Sequence, residues 1–180
     1  IVSAVLVSFI WVFIFTNAMP ALGGALGWDW LANISWFGTP SMATVTIIVV
    51  SIWQNIGFLM IIYTAGLQTI PKDVMESAEL DGCSGLKKVL KIELPLLMPT
   101  VTINLFVSIS GAFKSFDIPN AMTGGGPYGS TMPVAMNIYQ EAFTKYNLGY
   151  GSAKSVILFL TVAAVTLIQL YCTRKKEVEY

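Results

Sequence analysis

The chain has 180 residues, of which 55% are hydrophobic and only 11% are charged, and its mean hydropathy is +0.70. Soluble domains carry about 25% charged residues, so this composition predicts an integral membrane protein. The formal net charge is zero, which gives no reason to expect a nucleic-acid partner. The sequence contains no histidine, which excludes Ser-His-Asp and Cys-His catalytic arrangements and histidine-based metal sites.

Four apolar stretches are long enough to cross a membrane, which takes about 20 residues per helix. They predict an all-α, polytopic helical bundle with spans at about 1–17, 44–66, 94–116 and 153–173. The first stretch begins at Ile1 with no basic residues before it, and we therefore expect a chain truncated within a span rather than a signal peptide.

A charged segment, residues 67–95, separates the second and third apolar stretches. Between residues 72 and 93 it holds nine of the twenty charged side chains of the whole protein. Each charge would cost several kcal/mol in hydrocarbon, so this segment is predicted to lie in water at one face of the membrane.

The positions of the basic residues predict which face. Seven of the ten Lys and Arg residues lie in the charged segment or in the C-terminal tail, whereas loop 18–43 has none and loop 117–151 has only Lys145. The positive-inside rule then places the charged segment and the C-terminus in the cytoplasm and both loops outside. Cys83 and Cys172 are predicted to be unpaired thiols, since disulfides rarely persist in the cytoplasm.

Helix-start and helix-stop residues divide the charged segment into two short helices. Pro71 suits the first position of a helix, and Gly82 suits a left-handed residue that ends it. Ser84 and Gly85 begin a second helix, which Pro95 is expected to end. Taken alone, these residues are equally consistent with a solvated loop and with a surface that docks into a groove of another protein. The length of 29 residues argues against a simple loop, since far fewer residues are enough to join neighbouring helices.

The run ESAELDGCSGLKKVLKIELP resembles the cytoplasmic EAA loop of ABC importer permeases, whose pattern is E-A-A-x-x-D-G-A followed by I-x-L-P. The matching positions are Glu76, Ala78, Asp81, Gly82, Ile92, Leu94 and Pro95. Ser77 and Cys83 replace the usual alanines, and both are small. Three further runs are similar to the carbohydrate-uptake branch of this permease family: AGLQTIP, FKSFDIPNAMTGGGP and the ending RKKEVEY. The chain therefore resembles the C-terminal two-thirds of a six-span sugar permease.

This resemblance implies that residues 67–95 form coupling helices that dock into a cleft on a separate ATPase subunit. The docking residues would be Glu76, Ala78, Asp81 and Gly82. ATP and Mg would bind that partner, so we expect neither catalysis nor a cofactor or metal in this chain. Glycines 124–126 lack the Lys and Ser/Thr of a phosphate-binding loop. Further implied partners are a second permease subunit and an extracytoplasmic solute-binding protein, at the plasma membrane of a bacterial or archaeal cell.

Two polar stripes at helical spacing mark a possible substrate path through the membrane. They consist of Ser51, Gln54, Asn55 and Phe58 in the second span and Asn104, Ser108, Gly111 and Ser115 in the third. Hydroxyl, amide and aromatic groups suit a sugar, but helix–helix packing through small and polar residues is the alternative. Lys114 is predicted to pair with Asp117, with a substrate carboxylate or phosphate as its alternative partner.

These features predict the permease subunit of a binding-protein-dependent ABC importer for a sugar or related solute. The alternative is a secondary transporter or channel that is not driven by ATP. Ion-coupled carriers commonly bury carboxylates within their spans, and the interior stretches of the four predicted spans contain no Asp or Glu. The residues do not identify the solute.

Overall fold

The computed structural model describes residues 2–175, and within this range the chain forms helices and no strand. In chain order these are α1 (Ala4–Leu26), α2 (Asp29–Ala32), α3 (Pro40–Gln68), α4 (Lys72–Leu80), α5 (Gly85–Leu96), α6 (Met98–Phe113), α7 (Asp117–Thr123), α8 (134–144) and α9 (Leu148–Arg174). The predicted all-α fold is therefore confirmed. The end of the predicted C-terminal tail, residues 176–180, lies outside the described range.

Three helices, α1, α3 and α9, are long and apolar enough to cross a membrane. A fourth span results if α5 and α6 cross as one unit, although they are bent by 70° where they meet. Many large apolar side chains point outward from these helices, and Ile52 and Ile61 of α3 are 57% and 67% exposed. An apolar outer surface is what a helix surrounded by lipid requires. The protein is a helical membrane protein with three or four apolar spans, whose predicted limits remain predictions.

Hydroxyl groups in these apolar helices bond to their own backbone. Thr44 and Thr64 of α3 each donate a 2.8 Å hydrogen bond to the carbonyl oxygen four residues earlier, and Ser8 of α1 does the same. Such bonds satisfy polar groups that have no water partner in hydrocarbon. This is how a chain with scattered Ser and Thr keeps continuous helices of membrane-spanning length.

The described residues fall into two compact units. The first contains the chain up to Asn55 and Phe113–Leu158. Its core joins α1, α3 and α7 through Val7, Phe15, Val50, Ile118 and Met122. Aromatic rings extend this core, since the Phe15 ring lies 4.9 Å from that of Trp36 and 5.3 Å from that of Trp11, measured between centroids.

Close backbone packing in the first unit depends on Gly23 of α1. A Cβ atom at this position would lie 2.5 Å from the backbone nitrogen of Ala32, so no other residue fits without moving α2. Gly27, with φ of 67°, ends α1 in the left-handed conformation and lets the chain reverse into α2.

The second unit contains Ile56–Ala112 and the described part of the chain after Leu158. Its helices are joined by polar contacts and one very close approach. Gln169 of α9 donates to the backbone oxygen of Thr102 on α6 at 3.3 Å. A Cβ atom on Gly66 of α3 would lie 2.9 Å from the Cβ of Thr100, so this glycine lets α3 and α6 meet.

Candidate functional site: a helix–turn–helix in the charged segment

Helix α4 begins one residue later than the sequence predicts. Pro71 has ψ of 134° and lies just outside the helix, whose first residue is Lys72. Asp73 lies in the first turn, where a carboxylate interacts favourably with the helix dipole. The nine-residue helix ends at Leu80, as expected for a glycine stop at residue 82.

The turn after α4 is closed by two backbone hydrogen bonds. The N–H of Cys83 donates to the carbonyl of Ala78 at 2.9 Å, and that of Gly82 donates to Glu79 at 3.0 Å. This pair of bonds is the Schellman arrangement, which requires a left-handed residue at its centre. Gly82 has φ of 72°, as predicted, and a Cβ there would meet open space. The glycine is therefore required by backbone conformation and not by crowding.

The four predicted docking residues do not share one surface. Ala78 is only 7% exposed and Cys83 only 8%, so both side chains pack into the protein. Glu76, Asp81 and Gly82 are exposed. Three of the four candidates are thus accessible to a partner, and Ala78 instead fastens α4 to its own chain.

An ion pair spans the turn and joins the two short helices. The Nζ of Lys88 on α5 lies 2.6 Å from Oε1 of Glu79 on α4, with the Lys88 side chain 16% exposed. The hydrogen bond and charge of Lys88 lower the pKa of Glu79, and the bond to Glu79 raises the pKa of Lys88. Sequence reasoning missed this pair because a spacing of nine residues across a turn has no helical periodicity.

Helix α5 differs from the prediction at its end, since it runs through Pro95 to Leu96. Residues Val89–Glu93 form a π-helical turn in which the N–H of Leu94 donates to the carbonyl of Val89. This wider turn shifts the hydrogen-bond ladder, and it accommodates a proline that has no N–H to donate. The helix break moves to Leu97, where the 70° bend to α6 occurs.

The predicted polar stripe on α3 has two sides of different accessibility. Asn55 and Phe58 are exposed, whereas Ser51 and Gln54 are half-buried. Asn55 donates to the carbonyl of Ser51 at 2.8 Å. The Oε1 of Gln54 is buried and receives no hydrogen bond from the residues described.

The stripe on α6 divides in the same way. Asn104 is 3% exposed and donates to the carbonyl of Leu59 on α3 at 3.4 Å, so it takes part in helix packing. Ser108 and Gly111 are exposed. Ser115 follows the end of α6 at Phe113, so the helical spacing does not extend to it.

Lys114 does not form the predicted ion pair. Its side chain is exposed, and none of the ion pairs within residues 2–175 joins it to Asp117. The local pairing fails because α6 ends at Phe113 and α7 begins at Asp117, so the two residues do not share a helix.

One polar cluster had not been predicted at all. Glu141 on α8 is 8% exposed and pairs with Lys145 at 3.0 Å and with Lys154 of α9 at 3.5 Å. Lys154 also donates to Asn137 at 2.8 Å and lies 4.4 Å from the centre of the Tyr150 ring. Bonds from Lys145 and Asn147 lower the pKa of Glu141. The i, i+4 spacing of Glu141 and Lys145 was the signal available in the sequence.

We predict that the ion pair between α4 and α5 stabilises the turn in the full chain. Glu79→Lys places two lysines together, so amide hydrogen exchange at Cys83 should accelerate. The double exchange, Glu79→Lys with Lys88→Glu, should restore protection, whereas Glu76→Lys should leave it unchanged.

The same ion pair predicts a pH dependence, because the pKa of Glu79 is lowered from its ordinary value of 4.5 and that of Lys88 is raised from 10.5. The contribution of the pair to amide protection at Cys83 should be fully present between these two ordinary values. This contribution should be lost as the pH falls through the folded pKa of Glu79 and as it rises through that of Lys88. A double variant no better protected than Glu79→Lys would contradict this role.

Comparison with known proteins assigns the sequence to a family. The model of the family described as "Binding-protein-dependent transport system inner membrane component" matches residues 1–178. The "Probable starch degradation products transport system permease protein" of Thermoanaerobacterium thermosulfurigenes is 35% identical over 99% of this chain and 61% of its own length. The multiple sugar-binding transport system permease protein of Streptococcus mutans is 33% identical over the same shares. The chain therefore spans about three fifths of the length of these curated relatives.

Structural comparison agrees with the sequence comparison. A solved bacterial ABC transporter involved in the import of the acidic polysaccharide alginate superimposes with a TM-score of 0.85, covering 97% of this chain and 61% of that one. At 20% identity this likeness shows the fold alone.

The sulfoquinovosyl glycerol transport system permease protein of Agrobacterium fabrum is a further relative by sequence, 40% identical over 81% of this chain and 47% of its own length. The chain thus belongs to the family of binding-protein-dependent transport system inner membrane components.

Proposed function

We propose that this chain is part of the permease subunit of an ABC importer that takes up a sugar or related solute delivered by an extracytoplasmic binding protein. The observation that carries the proposal is the family match over residues 1–178. Relatives of starch-product, multiple-sugar and sulfoquinovosyl glycerol systems support a carbohydrate-like solute. The family gives no support to the alternative of a secondary transporter or channel.

In this proposal the charged segment lies in the cytoplasm, as does the C-terminus, and couples the permease to its ATPase subunit. The exposed Glu76, Asp81 and Gly82 support docking, and the hydrogen-bonded turn at Gly82 fixes the direction of α4. The break at Leu97 joins this segment to α6. Movement of the docked α4 would then be passed to a membrane helix through a short, hydrogen-bonded connection.

The chemical reaction that drives transport, ATP hydrolysis, takes place in a partner subunit. ATP and Mg bind the ATPase subunit, so this chain is a transport subunit and not an enzyme. A second permease subunit, a different chain, completes the membrane part in the plasma membrane of a bacterial or archaeal cell. The family match supports these assignments.

We further propose that the accessible parts of the two stripes face the substrate path. Asn55 and Phe58 on α3 offer an amide and an aromatic surface, and Ser108 and Gly111 are the exposed positions on α6. The buried oxygen of Gln54, which has no donor within residues 2–175, supports a polar path beside α3, since such an atom is costly to leave without a donor. Asn104 is assigned to helix packing through its bond to Leu59.

Replacing Gly82 tests the coupling proposal. Gly82→Leu forces a branched side chain into a left-handed backbone, which costs about 1–2 kcal/mol and reorients the turn. We expect loss of ATP-dependent uptake with normal membrane insertion. Gly27→Leu is the matched control, because Gly27 is also left-handed with open space around it but lies outside the charged segment. Normal uptake by the Gly82 variant would refute coupling through this turn.

A pair of asparagine variants tests the path. Asn55→Ala should change the affinity or selectivity of uptake while ATP hydrolysis stays coupled to the binding protein. Asn104→Ala should leave selectivity unchanged but lower stability by about 0.6 kcal/mol, since an interhelical hydrogen bond is lost. Uptake assays with competing sugars and thermal unfolding in detergent separate the two effects. A change in stability alone for Asn55→Ala would contradict the proposal that Asn55 faces the substrate path.

A further inference from the structure

The most exposed leucine among the described residues lies in the charged segment, in the part of the chain expected to meet water. Leu80, the last residue of α4, is 89% exposed, whereas Ala78, two residues earlier, is only 7% exposed and packs against the protein. Exposing a whole leucine side chain to water forgoes the free energy of burying it. A single exposed leucine is ordinary, so its surroundings decide what it can do.

Carboxylates surround Leu80 on its helix face. At 100° per residue, Asp73 and Glu76 lie about 20° and 40° from Leu80 around the axis of α4. Both are exposed, as is the adjacent Asp81. The only lysine of α4, Lys72, lies about 80° away by the same measure. The face opposite Ala78 therefore presents one apolar side chain within an acidic surface.

This charge distribution selects the kind of partner. A helix that rests on a membrane surface combines apolar residues with Lys and Arg, because the lipid surface is negatively charged. An acidic face is repelled by such a surface and by a second copy of itself. The complementary partner is a protein with an apolar pocket rimmed by basic residues.

The local structure holds Leu80 outward before any partner arrives. The backbone bonds at Ala78 and Glu79 fix the end of α4, and the Glu79–Lys88 ion pair holds α4 against α5. Glu79 is thereby occupied within the chain, whereas Asp73, Glu76 and Asp81 take part in none of the ion pairs of residues 2–175. A side chain presented by a preformed turn loses less conformational entropy on binding.

We propose that Leu80 is the anchor of the docking surface and inserts into an apolar pocket of the ATPase subunit, whose basic rim meets Asp73 and Glu76. This inference rests on the proposed coupling function and names the side chains that perform it. It also reassigns Ala78 from the contact surface to the support beneath it. The anchor fits the usual pattern in which a few central, desolvated side chains contribute most of the binding free energy of an interface.

The test is association of the purified full permease complex with its separately purified ATPase subunit. Leu80→Ser should weaken binding by about thirtyfold, the size expected for a dominant interface residue. Leu86→Ser is the matched control, because Leu86 is a 73% exposed leucine of the same segment that sits beside Lys87, outside the acidic face. Leu86→Ser should leave binding within about twofold of the wild type, as a contact outside the anchor contributes little.

A charge variant supplies an independent readout. Replacing Asp73 by asparagine and Glu76 by glutamine together should weaken binding and reduce its dependence on salt, because attraction to a basic rim is screened by ions. Equal loss in the Leu80 and Leu86 variants, or binding unaffected by Leu80→Ser, would overturn the anchor while wild-type binding still supported the coupling function. Failure of the wild type to bind the ATPase subunit would instead refute the proposed function itself.

Discussion

Hydrocarbon offers no hydrogen-bond partners, and this single constraint organises the whole chain. Every backbone N–H and C=O in the membrane must be satisfied locally, so the apolar stretches form continuous helices and their Thr and Ser side chains bond back to the helix. The same constraint expels charge. Where nine charged residues collect between residues 72 and 93, the cost of placing charge in hydrocarbon favours a structure in water.

The structure of this charged segment is small, and it depends on a few local interactions. Gly82 takes a conformation that other residues resist, two backbone bonds close the turn, and one ion pair crosses it. Together they decide which side of α4 faces the protein and which faces outward. Ala78 and Cys83 turn inward, while Leu80 and the carboxylates near it turn outward. The inward side chains thereby pack against the protein, and the outward ones stay accessible.

Much of this could be predicted from the sequence where the determinant is local. The left-handed φ of Gly82 and the two short helices follow from residue types at helix ends. Properties set by distant residues were missed. The Glu79–Lys88 pair needs the geometry of the turn, and the Glu141 cluster needs α8 to meet α9. Helical spacing also assumed that α6 continues to Ser115, whereas it ends at Phe113. Pro95 stays within α5 because the preceding π-helical turn shifts the backbone hydrogen bonds and accommodates a residue that has no N–H to donate.

We propose that the charged segment lies in the cytoplasm and that an ATPase subunit covers it. Ser77 on α4 is exposed, native Cys83 is buried and Cys172 is exposed, so a Ser77→Cys, Cys172→Ser chain carries one accessible thiol in this segment. Labelling it with a membrane-impermeant maleimide tests both parts of the claim. A cytoplasmic, covered thiol should be labelled in inside-out vesicles but not in intact cells, and it should be protected once the ATPase subunit is bound. Labelling from outside intact cells, or labelling that the ATPase subunit leaves unchanged, would contradict it.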